Sequence, residues 1–424
     1  MLLAIAVLVL CACVGCAVWL LPGRSHPAAD ADKSAAPKAG TMAWAAEART
    51  KPSEGSNTAL GTWFTDSLVI KAEPDMVTAY DIKRGEKKWS FVLSGPLCAA
   101  SREADGNRVV IATLFGKVCT DVTAIGLRTG ERPWEQSIAA EEKAGPALTP
   151  AKWRKAPLAI ALHGGYAYLS WATGEESRSL VDGKRVSQQK HKACEMVDAA
   201  GGPELIATAY CGGTSTIRSL DPRSLNKPKW STPAAKGTFA SSVIATRPVT
   251  VMTSRDTGGT ASFGVFDPAT GHRRTNIAAN DFWQLGSCFL TATGCTGALV
   301  EGDTLYVGGK GMGMAYSLTD GKSRWTYKSD ANRKTFPVTV SGDDDKVAFY
   351  VLPSSERPGR LSYVSVKTGS TVRTITHADT ARARESTMQT HGGTALRVVD
   401  DRLLMVDVND IPTETTDMIL AMAD

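Results

Sequence analysis

The chain has 424 residues, of which 43% are hydrophobic and 21% charged, so it can bury a sizeable core and is not intrinsically disordered. Its 48 basic and 43 acidic residues are interspersed and leave a formal net charge of +5. Because no segment concentrates positive charge, the sequence predicts no nucleic-acid partner. A chain of this length holds either several ordinary domains or one large all-β domain.

The first segment, Leu2 to Leu21, carries no charged residue and is about as long as a helix must be to cross a bilayer. Residues 1–24 are therefore predicted to be a transmembrane anchor or an uncleaved signal segment. Val14-Gly15-Cys16 resembles the end of a bacterial lipobox, so lipidation of Cys16 after cleavage is an alternative. Basic residues follow the segment instead of preceding it, so charge does not support an outward-facing orientation.

The next segment, residues 25–41, is small, polar and proline-containing, without helical or strand periodicity. This composition is typical of a flexible linker. A single folded domain is predicted to follow it, from residue 42 to residue 424.

Six of the nine cysteines lie beyond the apolar segment. They form three close pairs, Cys98 with Cys119, Cys194 with Cys211, and Cys288 with Cys295. An even, locally paired set is typical of disulfides in an oxidising compartment, and free thiols in a cytosolic protein are the alternative. The second and third pairs are symmetric about predicted hairpin turns. The first would join non-adjacent strands of one sheet, which is too far unless a sheet end or loop brings them together.

A motif of strand, glycine turn and tryptophan recurs along the chain. Its clearest copies run from Ala79 to Trp89, from Ala124 to Trp134 and from Ala315 to Trp325. The pattern predicts a tight turn with positive φ at the glycine and an outer strand whose tryptophan packs between units. The motif residues are Asp81, Gly85, Trp89, Gly130, Trp134, Trp230, Asp267, Gly271, Gly321, Trp325 and Gly369.

The turns repeat every 43 to 53 residues, if Asn226 takes the place of one glycine, and this is the period of four-stranded propeller blades. The last repeat stops before its outer strand. Trp44 precedes Gly85 by 41 residues, the interval between Trp89 and Gly130, so Trp44 supplies the missing strand. The sequence therefore predicts an all-β fold, an eight-bladed β-propeller of four-stranded antiparallel blades closed by its N-terminal strand.

The repeat Ala-Tyr-Asp-x-x-x-Gly-x-x-x-Trp resembles that of the pyrroloquinoline-quinone (PQQ) repeat β-propellers, over residues 42–424. The composition and tethered architecture look most like membrane-anchored actinobacterial members. The resemblance implies the fold and leaves the function open, because the family includes quinoprotein dehydrogenases, an envelope lipoprotein of outer-membrane assembly, and anchored propellers without assigned activity.

A quinoprotein dehydrogenase of this family would carry adjacent cysteines over the cofactor and acidic ligands for Ca²⁺. The chain has no Cys-Cys pair, and neither Asp343-Asp344-Asp345 nor Asp407-x-Asn409 has a calcium-loop pattern. The histidines are scattered without metal spacing. The run from Gly309 to Gly313 lies between two predicted strands, which indicates a hairpin turn and not a phosphate loop. We predict no catalytic residue, cofactor or metal.

These observations favour a non-catalytic protein-interaction or ligand-sensing module. We expect a monomer on the extracytoplasmic side of the cell membrane, held by one transmembrane helix at residues 2–21, with an envelope protein or small ligand as partner. The run Arg382-Ala383-Arg384-Glu385 is expected to be a charged loop between blades. A divergent dehydrogenase using PQQ and Ca²⁺ is the first alternative, and a scaffold for envelope protein assembly is the second.

Overall fold

The computed structural model describes residues 38–47, 61–115, 118–138, 158–192, 194–255, 259–285, 295–341, 345–390, 394–400, 402–407 and 417–424. The segment predicted as an anchor, residues 1–24 with Cys16, lies outside them. Within the described ranges, no helix is both long enough and apolar enough to span a bilayer.

Antiparallel strands make up nearly all of the described secondary structure, which confirms the all-β prediction. The described strands fall into eight groups of four, called units 1 to 8 here. Unit 1 contains β2 (Thr62–Phe64), β3 (Leu68–Ala72), β4 (Met76–Asp81) and β5 (Lys87–Val92), and unit 2 contains β6 (Leu97–Ala100), β7 (Arg108–Phe115), β8 (Val118–Gly126) and β9 (Glu135–Ser137). Unit 3 contains β10 (Ala159–His163), β11 (Tyr166–Trp171), β12 (Gly174–Ser179) and β13 (Arg185–Lys190), and unit 4 contains β14 (Cys194–Ala200), β15 (Leu205–Cys211), β16 (Thr214–Leu220) and β17 (Trp230–Pro233).

The remaining four units follow the same order along the chain. Unit 5 contains β18 (Thr238–Thr246), β19 (Val249–Arg255), β20 (Thr260–Phe266) and β21 (Arg273–Ala278), and unit 6 contains β22 (Ala298–Glu301), β23 (Thr304–Lys310), β24 (Met312–Ser317) and β25 (Ser323–Lys328). Unit 7 contains β26 (Lys334–Ser341), β27 (Lys346–Val351), β28 (Arg360–Ser365) and β29 (Thr371–Thr376). Unit 8 contains β30 (Thr394–Val399), β31 (Arg402–Asp407), β32 (Asp417–Ala423) and, as its fourth strand, the N-terminal β1 (Met42–Glu47). A short 3₁₀ helix (Asp379–Ala381) and helix α1 (Arg382–Thr390) connect units 7 and 8.

Burial within a unit falls from the inner strands to the outer one. All residues of β3 are buried, whereas β29, the fourth strand of unit 7, is exposed apart from Ile375. A strand covered on both faces by neighbouring units needs apolar side chains on both faces, which explains runs such as Val109 to Ala112 in β7. The core is therefore a series of layers between consecutive units.

Tryptophans of the outer strands join consecutive units. The indole Nε1 of Trp89 in unit 1 donates to Leu127 O of unit 2 at 3.2 Å. A Cβ on Gly130 would lie 2.7 Å from that ring, and Gly130 has φ 73°, so only glycine suits the position. The same tryptophan-on-glycine contact recurs at Trp44 and Gly85, Trp134 and Gly183, Trp230 and Gly271, and Trp325 and Gly369.

The aspartates of the motif close the turns. Oδ1 of Asp81 accepts from the backbone N–H of Lys83 at 3.0 Å, and Oδ1 of Asp267 accepts from that of Ala269 at 2.9 Å. Gly321 contacts Thr275 at the position where the five contacts above have tryptophan, and Thr275 Oγ1 donates to Thr319 O at 2.9 Å.

The strand that carries Trp44 completes unit 8. Strand β1 pairs antiparallel with β32, with Trp44 opposite Ala421. The folded unit begins before the predicted boundary at residue 42, because Gly40 N donates to Ala423 O at 2.8 Å and Ala378 N donates to Gly40 O at 2.7 Å.

Each unit has two edges with different connections. At the turn edge, short turns join the first strand to the second and the third to the fourth; the Trp–Gly contacts all lie here, so the units share one orientation. At the loop edge, the second strand meets the third and the fourth leads to the next unit. Connections at the loop edge include those from Ser137 to Ala159 and from Ala278 to Ala298, much longer than the turn from His163 to Tyr166.

Candidate binding surface

Disulfides lie at the loop edge. Cys194 begins β14 and Cys211 ends β15; the two are opposite each other and bonded, with Cα atoms 4.0 Å apart. Cys98 and Cys119 are also bonded, with Cα atoms 5.9 Å apart. Cys295 is disulfide-bonded as well, and its predicted partner Cys288 lies outside the described residues.

The Cys98–Cys119 bond joins the first and third strands of unit 2, which ideal strand spacing would not permit. Register shifts occur on both sides of the middle strand, between Leu97 and Ala99 and between Thr113 and Leu114. Both shifts lie at the end of the sheet, where the regular spacing no longer holds. The sheet end thus brings the two cysteines within bonding distance.

Three arginines surround one carboxylate at the loop edge of unit 7. Asp330 accepts from Arg333 at 2.6 Å and from Arg360 at 2.9 Å, and Arg357 lies 3.7 Å away. Partial burial raises the pKa of Asp330, but the three guanidinium groups outweigh it and hold the pKa below its usual value. Asp330 is therefore ionised, and the group retains an excess of positive charge.

Arg333 is buried and fixes the loop that carries the other two arginines. Its Nε donates to Leu352 O at 2.6 Å, and its Nη2 donates to Pro358 O at 2.6 Å. Only 9% of the residue is exposed. Charge-assisted bonds to carbonyl oxygens in a buried position are strong, so Arg333 anchors the loop from Leu352 to Arg360 at both of these carbonyls.

A buried group on helix α1 holds the same loop from its other side. Glu385 is fully buried; its Oε2 accepts from Gly359 N at 3.0 Å, and its Oε1 accepts from the Tyr350 hydroxyl at 3.0 Å and contacts the His377 ring. Burial, and then the charge of Glu385, raise the pKa of Tyr350 well above its usual value. The prediction of a loop for Arg382-Ala383-Arg384-Glu385 is therefore wrong. The run begins helix α1, and the Glu385 carboxylate accepts hydrogen bonds from unit 7.

Units 6 and 7 are joined at this edge into one sheet. Gly309 pairs with Thr335 and Lys310 with Lys334 across β23 and β26. A Cβ on Gly308 would lie 2.1 Å from Thr335 O, so the close approach requires glycine. The glycine-rich run is the β23–β24 hairpin, as predicted, and it places Lys310 beside the arginine loop.

An exposed aromatic side chain borders this basic region. Phe282 is 57% exposed, and its carbonyl accepts from Lys310 N at 3.0 Å. The neighbouring Trp283 is buried and its Nε1 donates to the Tyr316 hydroxyl at 3.3 Å, which fixes the segment. We call Lys310, Lys334, Arg333, Arg357 and Arg360 the basic patch. Local sequence patterns do not identify it, because its residues come from separate strands and loops.

Contacts between non-consecutive units lie near the first strands. Arg102 of unit 2 pairs with Asp198 of unit 4 at 3.6 Å and donates to Val243 O of unit 5. Thr296, just before unit 6, donates to Thr394 O of unit 8 at 3.1 Å. The first strands of these units therefore converge.

The described residues do not fit a PQQ site. No three His, Cys, Asp or Glu side chains among them are grouped to hold a metal ion. The buried Trp63 donates its Nε1 to Ser101 O of unit 2 at 2.8 Å, so its ring is packed between units. We derive no chemical step through that cofactor.

Comparisons with known proteins agree with this architecture. Residues 34–190 match a PQQ-repeat family model described as outer membrane protein assembly factor BamB. No curated protein matches the chain.

Three solved structures align with the chain. The computationally designed Ika8 protein aligns with a TM-score of 0.56 and 10% identity, covering 92% of this chain and 100% of that chain. Dihydro-heme d1 dehydrogenase NirN in complex with DHE aligns with a TM-score of 0.50 and 13% identity, covering 77% of this chain and 67% of that chain. BamB from Moraxella catarrhalis aligns with a TM-score of 0.47 and 13% identity, covering 89% of this chain and 99% of that chain. The repeated strand–turn–tryptophan units and the match over residues 34–190 both support a PQQ-repeat β-propeller family for this chain.

Proposed function

We propose that the chain is a closed ring of eight blades that acts as a non-catalytic protein-interaction module, with the loop edge as its binding surface. Closure is supported by β1, which belongs to unit 8 while its Trp44 Nε1 donates to Ile82 O of unit 1 at 2.7 Å. The contacts of Arg102 with units 4 and 5 support convergence of the blades on a common axis.

The observation that carries the binding function is the exposure of aromatic side chains at the loop edge. Phe115 ends β7 and is 74% exposed, and Phe282 is 57% exposed. Exposed aromatic residues on a rigid frame are typical of protein interfaces. The Cys98–Cys119 bond stiffens the support of Phe115, and the Trp283 hydrogen bond stiffens that of Phe282.

For location, we propose the extracytoplasmic side of a membrane, with residues 2–21 as a single-pass anchor or, alternatively, with lipidated Cys16. The disulfides support an oxidising compartment. We propose a monomer without a cofactor.

A role in envelope protein assembly is the second candidate. It is supported by the family model, which is described as an outer membrane assembly factor. In that role the loop edge would receive segments of unfolded client proteins. For the divergent dehydrogenase, the described residues offer no specific observation in its favour.

Photo-crosslinking in cells tests which edge binds. A photoreactive amino acid replaces Phe115 or Phe282 in the full chain, and Val181, which is apolar, 72% exposed and at the turn edge, is the matched control position. We expect discrete crosslinked protein products from the two loop-edge positions and none from position 181. Equal products from all three positions, or none from the loop edge, would contradict the proposal.

A further inference from the structure

The basic patch has more positive charge than its surroundings neutralise. Its three arginines share one bonded carboxylate, that of Asp330, and its two lysines add two further cations. The adjoining segments add two exposed acidic residues, Asp281 and Glu356, and the buried Glu385 carboxylate contacts the same loop, so cations outnumber anions by five to four. The Nε of Arg360 is buried and has no hydrogen-bond partner among the described residues.

Two lysines of the patch face each other across a sheet. Lys310 and Lys334 are register partners on the antiparallel strands β23 and β26, and both are exposed. Directly opposed side chains of this kind lie close together, and like charges there are unfavourable. A bound anion would remove that repulsion.

The patch is also rigid, since Arg333 and Glu385 hold the Leu352–Arg360 loop from both sides. Gly311 N donates to Arg333 O at 2.8 Å, which ties the lysine hairpin to the arginines. A site ordered before binding loses little conformational entropy when a partner docks.

We propose that the basic patch and Phe282 form one docking site for an acidic segment of a partner protein. Carboxylates of the segment would pair with Lys310, Lys334 and Arg357, and an apolar side chain between them would cover Phe282. Charge complementarity indicates the acidic side chains, and the exposed ring beside Lys310 favours a protein segment over a small inorganic anion. This inference rests on the proposed function and names the chemistry of its partner.

Fluorescence polarisation of the full chain with a labelled peptide of glutamates flanking a leucine tests the site. The double variant Lys310→Glu/Lys334→Glu is compared with Lys87→Glu/Lys227→Glu, which changes the net charge equally with exposed turn-edge lysines. We expect the first variant to bind at least about tenfold more weakly than the native chain and the second to bind like it. Phe282→Ala is expected to weaken binding as well.

Equal binding by the two double variants would overturn the docking site. So would displacement of the peptide by inorganic phosphate but not by chloride at matched ionic strength, or tighter binding to anionic lipid vesicles than to the peptide. Crosslinking from position 115 does not depend on the patch, so its persistence would distinguish failure of this inference from failure of the proposed function.

A folding defect cannot imitate the expected result. Lys334→Glu alone creates an opposite-charge pair with Lys310, so the unfolding temperature should be unchanged or higher while peptide binding falls. A lower unfolding temperature accompanied by unchanged binding would contradict the proposal.

Discussion

The turn edge and the loop edge of the propeller are built from the same strands but use their residues differently. At the turn edge, short Asp–Gly turns and tryptophans recur from unit to unit because each must fit the next, as Trp134 fits Gly183. At the loop edge the connections vary in length, and the exposed aromatics Phe115 and Phe282 and the exposed charge of Arg357 lie there. The repeated residues therefore hold the units together, and the unrepeated ones are available for binding.

The largest difference between the edges should be seen on truncating an aromatic residue. Trp134 is 6% exposed and bonded to Leu180 O, so Trp134→Ala should lower the free energy of unfolding by about 3–5 kcal/mol. Phe115→Ala at the loop edge should change it by less than about 0.5 kcal/mol. Urea unfolding of both variants measures the two values, and similar losses would show that the edges do not differ in this way.

Removal of a loop-edge disulfide should have the next largest effect. Cys194 and Cys211 are 17 residues apart, and replacing both with alanine should cost about 3 kcal/mol through the freer unfolded chain. The reduced native chain is the control and should lose at least as much. A loss below about 1 kcal/mol for the double variant would mean that this bond contributes little to the loop edge.

A smaller effect is expected at the support of the basic patch. Tyr350→Phe removes a buried hydrogen bond to the Glu385 carboxylate and should destabilise the chain by about 1.5–3 kcal/mol. Tyr363→Phe is the comparison variant: it makes the same change in side-chain size in the same unit, at a part-buried hydroxyl that donates to Asp424. If Tyr350→Phe had no effect on stability or on peptide binding, the Glu385 group would not support the patch.

The smallest effect is a gain in stability. Lys334→Glu should raise the free energy of unfolding by roughly 0.2–1 kcal/mol at low salt, because it replaces a repulsion with an attraction. The gain should shrink at high salt, which screens exposed charges. A loss of stability at low salt would show that Lys310 and Lys334 do not repel each other.

The sequence predicts the features that depend on local spacing. Tryptophan and glycine recur at a fixed interval, so the strand carrying Trp44 could be assigned to the last unit, where it pairs with β32. Symmetry about a turn likewise pairs Cys194 with Cys211. The Cys98–Cys119 bond was harder to predict, because it depends on register shifts at a sheet end that leave no mark in the spacing.

The basic patch could not be predicted in the same way. Asp330 precedes β26, whereas Arg357 and Arg360 follow β27; they meet because β26 pairs with β27 and because Arg333 and α1 hold the loop after β27. The charged run at Arg382–Glu385 resembles a solvated loop until Glu385 is seen buried against Gly359. Such contacts depend on the packing of units, which short-range patterns do not report.

The most direct test of a binding function over a catalytic one is a titration of the purified full chain with PQQ and Ca²⁺. Bound absorbance and reduction of a dye by alcohols and sugars are followed in the same sample, with a known quinoprotein dehydrogenase as positive control. We expect no saturable binding and no turnover. Saturable binding with turnover would contradict a non-catalytic function.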